Sequence, residues 1–81
     1  MIQHRVLAFA AAAEIFGGSS CAVALPAGAT VADLRQRLLE DHPALGELVT
    51  FAIARNELYA LPEEVLEPGD ELVVIPPVSG G

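Results

Sequence analysis

The stretch of sequence best suited to chemistry is the run from Pro76 to Gly81, which reads Pro-Pro-Val-Ser-Gly-Gly. Two consecutive prolines fix two backbone angles and remove two amide donors, so the run should leave the preceding strand as a stiff, extended stem. An extended run of this length reaches about 20 Å at most, which would hold the Gly81 carboxylate away from the domain body. Gly80 and Gly81 have no side chains and can therefore thread a channel that any larger residue would block.

An unhindered glycine carboxylate is suited to activation as an acyl group. An enzyme could adenylate Gly81 with ATP, and a nucleophile could then displace AMP at the carbonyl carbon. If that nucleophile delivers sulfur, the product is a terminal thiocarboxylate, which is a portable reactive sulfur atom. Gly81 is therefore the candidate reactive residue, and Gly80 is the residue that lets it enter a partner's active site.

The rest of the sequence contains no catalytic or metal-binding pattern. Cys21 is the single cysteine, so it cannot form an intramolecular disulfide or a cysteine-ligated metal site. We interpret it as a small apolar strand residue. His4 and His42 lack a carboxylate at catalytic spacing and are interpreted as a strand residue and a helix-end residue. The acidic residues between 63 and 67 are interpreted as a solvated loop; the alternative is that they meet basic residues of a partner. We expect no cofactor bound by this chain, with ATP used by a partner.

The charge balance limits the kinds of partner. The chain has eleven acidic residues, four arginines and no lysine, which gives a net charge of −7. This charge repels phosphate backbones, so nucleic acid is not an expected partner, whereas a basic protein surface is. The alternative is that the acidity provides only solubility. Because there is no lysine, the chain offers no side-chain amine for an isopeptide bond.

Length and hydropathy predict one small domain. The 81 residues are enough for one modest core. The longest apolar stretch, Val6 to Ala13, is too short to span a bilayer, and Met1 to Arg5 has no signal-peptide pattern. These features predict a cytoplasmic protein that does not act in a membrane.

Hydrophobic runs and turn residues predict the elements that must position the tail. The predicted strands are 2–9, 21–25, 49–54, 57–60 and 71–75, with a short Ala-rich helix at 10–16. The clearest helix signal is the capping pair Thr30 and Asp33, followed by an amphipathic run. Pro43 ends that helix, because the residue before a proline is disfavoured in helical geometry.

The resulting order, β-β-α-β-β-β, predicts an α+β fold. A mixed four- to five-stranded sheet packed on one main helix, as in the ubiquitin-like β-grasp, is the economical arrangement at this size. We expect the domain to cover residues 1–75. Residues 76–81 should form a flexible, extended Gly-Gly tail that carries the reactive carboxylate.

The first and last predicted strands are apolar on both faces, although one helix can cover only one face of a sheet. Strand alternation then turns Val73 and Ile75 outward, together with Leu7 and Phe9. An exposed apolar surface of this kind usually marks a protein interface. The alternative is that the Ala-rich segment or a loop folds over it.

Several segments together resemble one known family. They are Val6–Ala10 with Glu14 and Gly17, Leu25–Pro26, Thr30–Leu34, Ala54–Asn56, Leu66 with Gly69–Glu71, and Ile75–Gly81. These segments are similar to those of molybdopterin synthase small subunits, which are sulfur carriers of the ubiquitin-like β-grasp superfamily. The resemblance covers essentially the whole chain, and its last seven residues are the most specific part.

The resemblance implies a role in molybdenum cofactor biosynthesis. Gly81 would be activated by an adenylating enzyme related to ubiquitin-activating enzymes and would receive sulfur as a thiocarboxylate. Its tail would then enter the large synthase subunit, in a heterotetramer, and give sulfur to a pterin precursor. The implied partner-interface residues are Phe9, Tyr59, Ile75, Pro76, Pro77 and Val78.

Two positions depart from the family pattern, and other functions stay open. Ala13 stands where arginine is frequent, and Arg55 stands where an apolar residue is expected; both concern contacts with the activating enzyme. The alternatives are a sulfur carrier for thiamin or another metabolite, a ubiquitin-like protein modifier, and a non-covalent β-grasp interaction module. Only the last would keep its function without Gly80 and Gly81.

Overall fold

The computed structural model describes residues 1–47 and 51–76. Its elements in chain order are β1 (Ile2–Ala8), α1 (Ala10–Phe16), β2 (Ser20–Leu25), α2 (Val31–Asp41), β3 (Ala52–Arg55), β4 (Leu58–Tyr59) and β5 (Leu72–Ile75), and a 3-10 helix (Pro43–Glu47) follows α2. Each predicted strand and helix is confirmed, although the strand predicted at 49–54 begins in part outside the described residues.

The five strands form one mixed sheet in the order β2-β1-β5-β3-β4. β1 and β5 are parallel neighbours at the centre, and the other pairs are antiparallel. Because a parallel pair needs a crossover, the chain between β1 and β5 carries the helices and packs them on one face. The predicted α+β architecture, with a mixed sheet on one main helix, is therefore confirmed.

The helix α2 begins where the sequence predicts. The Thr30 hydroxyl accepts a hydrogen bond from the Asp33 amide at 3.3 Å, and the Asp33 carboxylate accepts one from the Thr30 amide at 2.9 Å. This reciprocal pair satisfies two of the amides that a helix start leaves without a partner. At the other end His42 is the C-cap, and its ring lies 4.7 Å from that of Phe16 between centroids.

The segment from residue 61 to residue 66, called here the crossing loop, is fixed across the start of α2. The amides of Val31 and Ala32 donate to the carbonyls of Glu64 and Pro62, each at 2.9 Å. The loop therefore takes up two further amides of the first helical turn. As a result, a segment without regular structure is held by the main chain of the helix.

The core lies between the sheet and the helices. Its fully buried members come from both layers, and the largest are Leu34, Leu38, Leu45, Leu72, Val6 and Val74. His4 is also buried and lies on the same side of β1 as Val6 and Ala8. Within residues 1–47 and 51–76, no helix has the length and apolar character needed to cross a membrane.

The turn between β3 and β4 holds two residues in the left-handed region. Asn56 has φ 53° and Glu57 has φ 73°. Asparagine tolerates this conformation, whereas glutamate does not favour it. We expect Glu57→Gly to raise the free energy of unfolding by about 0.5 to 1 kcal/mol, as measured by urea denaturation. The matched variant Glu57→Gln removes the same charge and keeps the side chain, so it should give no such gain.

Candidate functional site

One face of the sheet carries a row of apolar side chains across four strands. Leu7 of β1 lies opposite Val73 of β5, which lies opposite Ala54 of β3. Ala54 in turn lies opposite Tyr59 of β4. Because directly opposed residues share a face, these side chains form one continuous row on the side away from the helices.

A second, shorter row runs beside the first, towards the end of β5. Ile75 lies opposite Ala52 of β3. The parallel register that pairs Ala8 with Val74 brings Phe9 next to Ile75 when it is continued by one residue. The surface formed by both rows is called here the outer face; its larger members are Leu7, Phe9, Tyr59, Val73 and Ile75.

The outward orientation predicted for this surface is confirmed. Phe9 and Tyr59 are 61% and 71% exposed, and Leu7, Val73 and Ile75 are half-buried, while their strand neighbours Val6, Leu72 and Val74 are buried. The Ala-rich helix α1 does not cover this face, because Ala12 is fully buried in the core on the other side of the sheet.

The chain leaves the outer face at the end of β5, after Ile75. Pro76 follows Ile75 directly and is half-buried. Pro77, Val78, Gly80 and Gly81 lie outside the described residues, so the placement predicted for them stays a prediction. The outer face nevertheless lies at the root of the segment whose glycines carry the predicted chemistry.

Phe9 is positioned by an unusual backbone conformation. It is the N-cap of α1, and no side chain caps that helix. Ala10, the next residue, has φ 53°, in a region that alanine rarely adopts. This local turn separates Phe9 from the helix that follows, and the Phe9 ring is exposed.

Arg55, one of the two departures from the family pattern, is the centre of a charge cluster. Its Nε lies 2.6 Å from the Asp70 carboxylate, Nη1 lies 3.2 Å from Glu64 and Nη2 lies 3.5 Å from Glu67. The interpretation of the acidic loop as solvated holds for Glu63 and Glu67, which are exposed, but is wrong for Glu64, which is half-buried against Arg55. Arg55 joins the end of β3 to the crossing loop and to the turn before β5.

Asn56 completes this junction. Its amide nitrogen donates to Asp70 at 3.0 Å, and its side-chain oxygen accepts from the Glu71 amide at 2.9 Å. Its backbone amide donates to the Glu71 carbonyl at 2.8 Å. The β3–β4 turn is therefore fixed to the start of β5, which keeps Tyr59 in register with the other residues of the outer face. In the sequence, only the family match at Ala54–Asn56 indicated that Asn56 has a particular role.

The carboxylates of this cluster are shifted towards their charged forms. The hydrogen bond from the Leu61 amide, with a further contribution from Arg55, lowers the pKa of Glu64. Burial opposes ionisation of Asp70, but hydrogen bonds from the Glu67 amide, Arg55 and Asn56 outweigh it and lower the pKa of Asp70. The hydrogen bond to Asp70 in turn raises the pKa of Arg55.

We expect stability to fall in acid because of these two carboxylates. Since their folded pKa values lie below the unfolded ones, their contribution is present above about pH 4 and is lost as pH falls through the folded values. Urea denaturation at pH values from about 6 to 3 measures this loss. Asp70→Asn should lower stability at neutral pH and make it less dependent on pH; an unchanged pH dependence would contradict the assignment.

The remaining candidate side chains show no second site. Cys21 is half-buried, and burial, with a smaller contribution from Asp41, raises the pKa of its thiol. The thiolate is the reactive form, so this environment suits a structural residue. Within residues 1–47 and 51–76, no group of three acidic, histidine or cysteine side chains is placed to hold a metal ion.

Comparison with known proteins agrees with this geometry. The profile of the ThiS family matches residues 6–81. The chain belongs to the ThiS family. This ThiS-family chain is 39% identical to the molybdopterin synthase sulfur carrier subunit of Chlamydomonas reinhardtii, over 99% of its own length and 100% of the relative's.

Two solved structures have the same fold as this ThiS-family chain. The crystal structure of Haloferax volcanii small archaeal modifier protein 1 superposes with a TM-score of 0.85 at 31% identity, over 96% of this chain and 100% of the other. A chain from the complex of subunits 1 and 2 of the Helicobacter pylori molybdopterin-converting factor superposes with a TM-score of 0.69 at 25% identity, over 99% and 100%. The β-grasp prediction is confirmed by these matches.

Proposed function

We propose that this chain is a sulfur carrier in molybdopterin synthesis and that the Gly81 carboxylate carries the sulfur as a thiocarboxylate. The observation that carries the proposal is the exposed apolar outer face at the root of the Pro76–Gly81 segment. It is supported by the full-length similarity to a molybdopterin synthase sulfur carrier subunit. No catalytic side chain of this chain is required, and in this role it serves as the small subunit of the synthase.

The chemistry proceeds in two displacements at one carbonyl carbon. The Gly81 carboxylate attacks the α-phosphate of ATP, which forms an acyl adenylate and releases pyrophosphate. A sulfur nucleophile of sulfide oxidation level then attacks the carbonyl carbon and AMP leaves, which yields the thiocarboxylate. The thiocarboxylate sulfur then displaces an oxygen leaving group on the pterin precursor. Water hydrolyses the resulting acyl–sulfur bond, which leaves the sulfur on the pterin and restores the carboxylate for another activation.

The outer face is the proposed docking surface for two proteins in turn. These are an adenylating enzyme related to ubiquitin-activating enzymes and a large synthase subunit, the latter in a heterotetramer. The complex of subunits 1 and 2 from Helicobacter pylori supports a partner of the second kind. The proposed contact residues are Phe9, Tyr59, Ile75, Pro76, Pro77 and Val78. Because both partners would use one face, they would bind this chain alternately.

The direct test is the intact mass of the protein after incubation with ATP, a sulfur donor and the candidate adenylating enzyme. Replacement of one oxygen by one sulfur is the expected change, and it should be absent from a variant lacking Gly81. If the mass stays the same while the enzyme forms adenylate with another carrier, the chain is not a substrate and the proposal fails.

A second candidate function is protein modification through Gly81. The similarity to the Haloferax volcanii small archaeal modifier protein 1 favours it. Conjugates that resist denaturing electrophoresis and disappear when Gly81 is deleted would support this function. Since the chain has no lysine, such conjugates would carry it singly on lysine side chains, without lysine-linked chains of modifiers.

A further inference from the structure

Apart from Met1, the exposed large apolar residues among the described residues fall into two groups. Phe9 and Tyr59 belong to the outer face. Leu58, Leu61 and Val65 do not, although they are 73%, 59% and 50% exposed. These last three residues are called here the rim patch. The proposed role of the outer face therefore does not account for Leu58 and Leu61, the two most exposed leucines among the described residues.

The rim patch lies on the helix side of the sheet edge. Leu58 is the cross-strand partner of Arg55 and lies on the face opposite to Tyr59, its neighbour in β4. The Arg55 guanidinium reaches Glu64 at 3.2 Å. Glu64 lies in the crossing loop, between Leu61 and Val65. Arg55 of β3 thus lies opposite Leu58 of β4 and also reaches the loop that carries the other two members.

The crossing loop presents its apolar side chains from a fixed backbone. Besides its bonds to the first turn of α2, the Leu66 amide donates to the Ala29 carbonyl at 2.9 Å, and the Leu61 amide donates to the Glu64 carboxylate at 2.7 Å. Leu66 itself is buried in the core. Because the backbone is already ordered, little conformational entropy would be lost when a partner binds the rim patch.

The surroundings of the rim patch are strongly acidic. Residues 57–71 contain six acidic residues and no basic one. Glu57, Glu63 and Glu67 are exposed, and within the described residues Glu57 and Glu63 make no side-chain hydrogen bond or ion pair. A second copy of this chain would bring like charges together, which is unfavourable. The chemistry that complements this surface is a cationic segment with apolar side chains.

We propose that the rim patch docks a segment of a partner protein that combines arginine or lysine with leucine-type side chains. Its apolar residues cover Leu58, Leu61 and Val65, and its cations face Glu57 and Glu63. This surface is separate from the outer face and does not depend on the sulfur chemistry. A protein bound here leaves the outer face free, so two partners can be bound at once.

A peptide of alternating arginine and leucine residues, titrated into ¹⁵N-labelled protein, tests the proposal. Chemical-shift changes are expected in residues 57–67 and in the first turn of α2. The double variant Leu61→Ser/Val65→Ser should raise the dissociation constant roughly tenfold. Phe9→Ser removes an equally exposed apolar side chain from the outer face and should leave the affinity unchanged.

The charges are tested separately with Glu57→Gln/Glu63→Gln, which removes two charges and breaks no side-chain hydrogen bond or ion pair among the described residues. It should weaken binding severalfold at low salt and have less effect at high salt. This variant also tests the proposal if circular dichroism shows that the serine pair unfolds. Shift changes centred on Leu7 and Val73, an equal loss of affinity in Phe9→Ser, or no binding at millimolar peptide would each overturn the proposal.

Discussion

Gly81→Ala should fold as the parent chain does and lose at least about 100-fold in the rate of sulfur transfer. The added methyl group lies next to the reacting carbonyl. It would shift the carbonyl carbon out of position for attack and block a channel shaped for glycine. Single-turnover formation of the thiocarboxylate, followed by intact mass, measures the effect.

Ser79→Ala is the matched control for that variant. It alters a side chain of the same segment but adds no atom beside the reacting carbon, so transfer should stay close to the parent rate. If Gly81→Ala transfers sulfur as fast as Ser79→Ala, the carbonyl of Gly81 is not the reacting group.

Ile75→Asp should weaken binding to the large synthase subunit by at least about 100-fold, because binding would bury a carboxylate without a partner. The free domain should lose little stability, since Ile75 lies on the outer face and not in the core. Isothermal titration calorimetry gives the affinity, and urea denaturation gives the free energy of unfolding.

Ala24→Asp provides the comparison for Ile75→Asp. Ala24 lies opposite Gln3, which is exposed on the same side of the sheet as Leu7, but at the end of the sheet far from Pro76. Its effect on binding should be small. If Ile75→Asp unfolds the free domain, or if Ala24→Asp abolishes binding equally, the outer face is not the docking surface.

Local patterns in the sequence predicted most of the fold. The capping pair of Thr30 and Asp33 acts over three residues, so the start of α2 could be inferred without knowledge of the tertiary structure. Alternation with period two placed Val73 and Ile75 outward, because a strand directs successive side chains to opposite faces. These inferences depend only on neighbours in the chain.

The features that the sequence did not reveal depend on contacts between distant residues. Arg55 meets Asp70, which is 15 residues away, and nothing in its local sequence shows that it is a junction. The crossing loop bonds to the first turn of α2 from 30 and 33 residues further along the chain. Likewise, Glu57 adopts a left-handed conformation that its residue type does not favour, next to Asn56, whose side chain contacts the distant residues Asp70 and Glu71.

The position of β5 in the sheet has a mechanical consequence. The segment that would be drawn into a partner's channel continues from Ile75, at the end of a strand paired on both sides, with β1 and with β3. A pull on that segment acts along the strand, so the hydrogen bonds of both ladders are loaded together in shear, whereas a terminal strand at an edge would be peeled off one bond at a time. A partner can therefore apply tension to the tail while the domain keeps its shape.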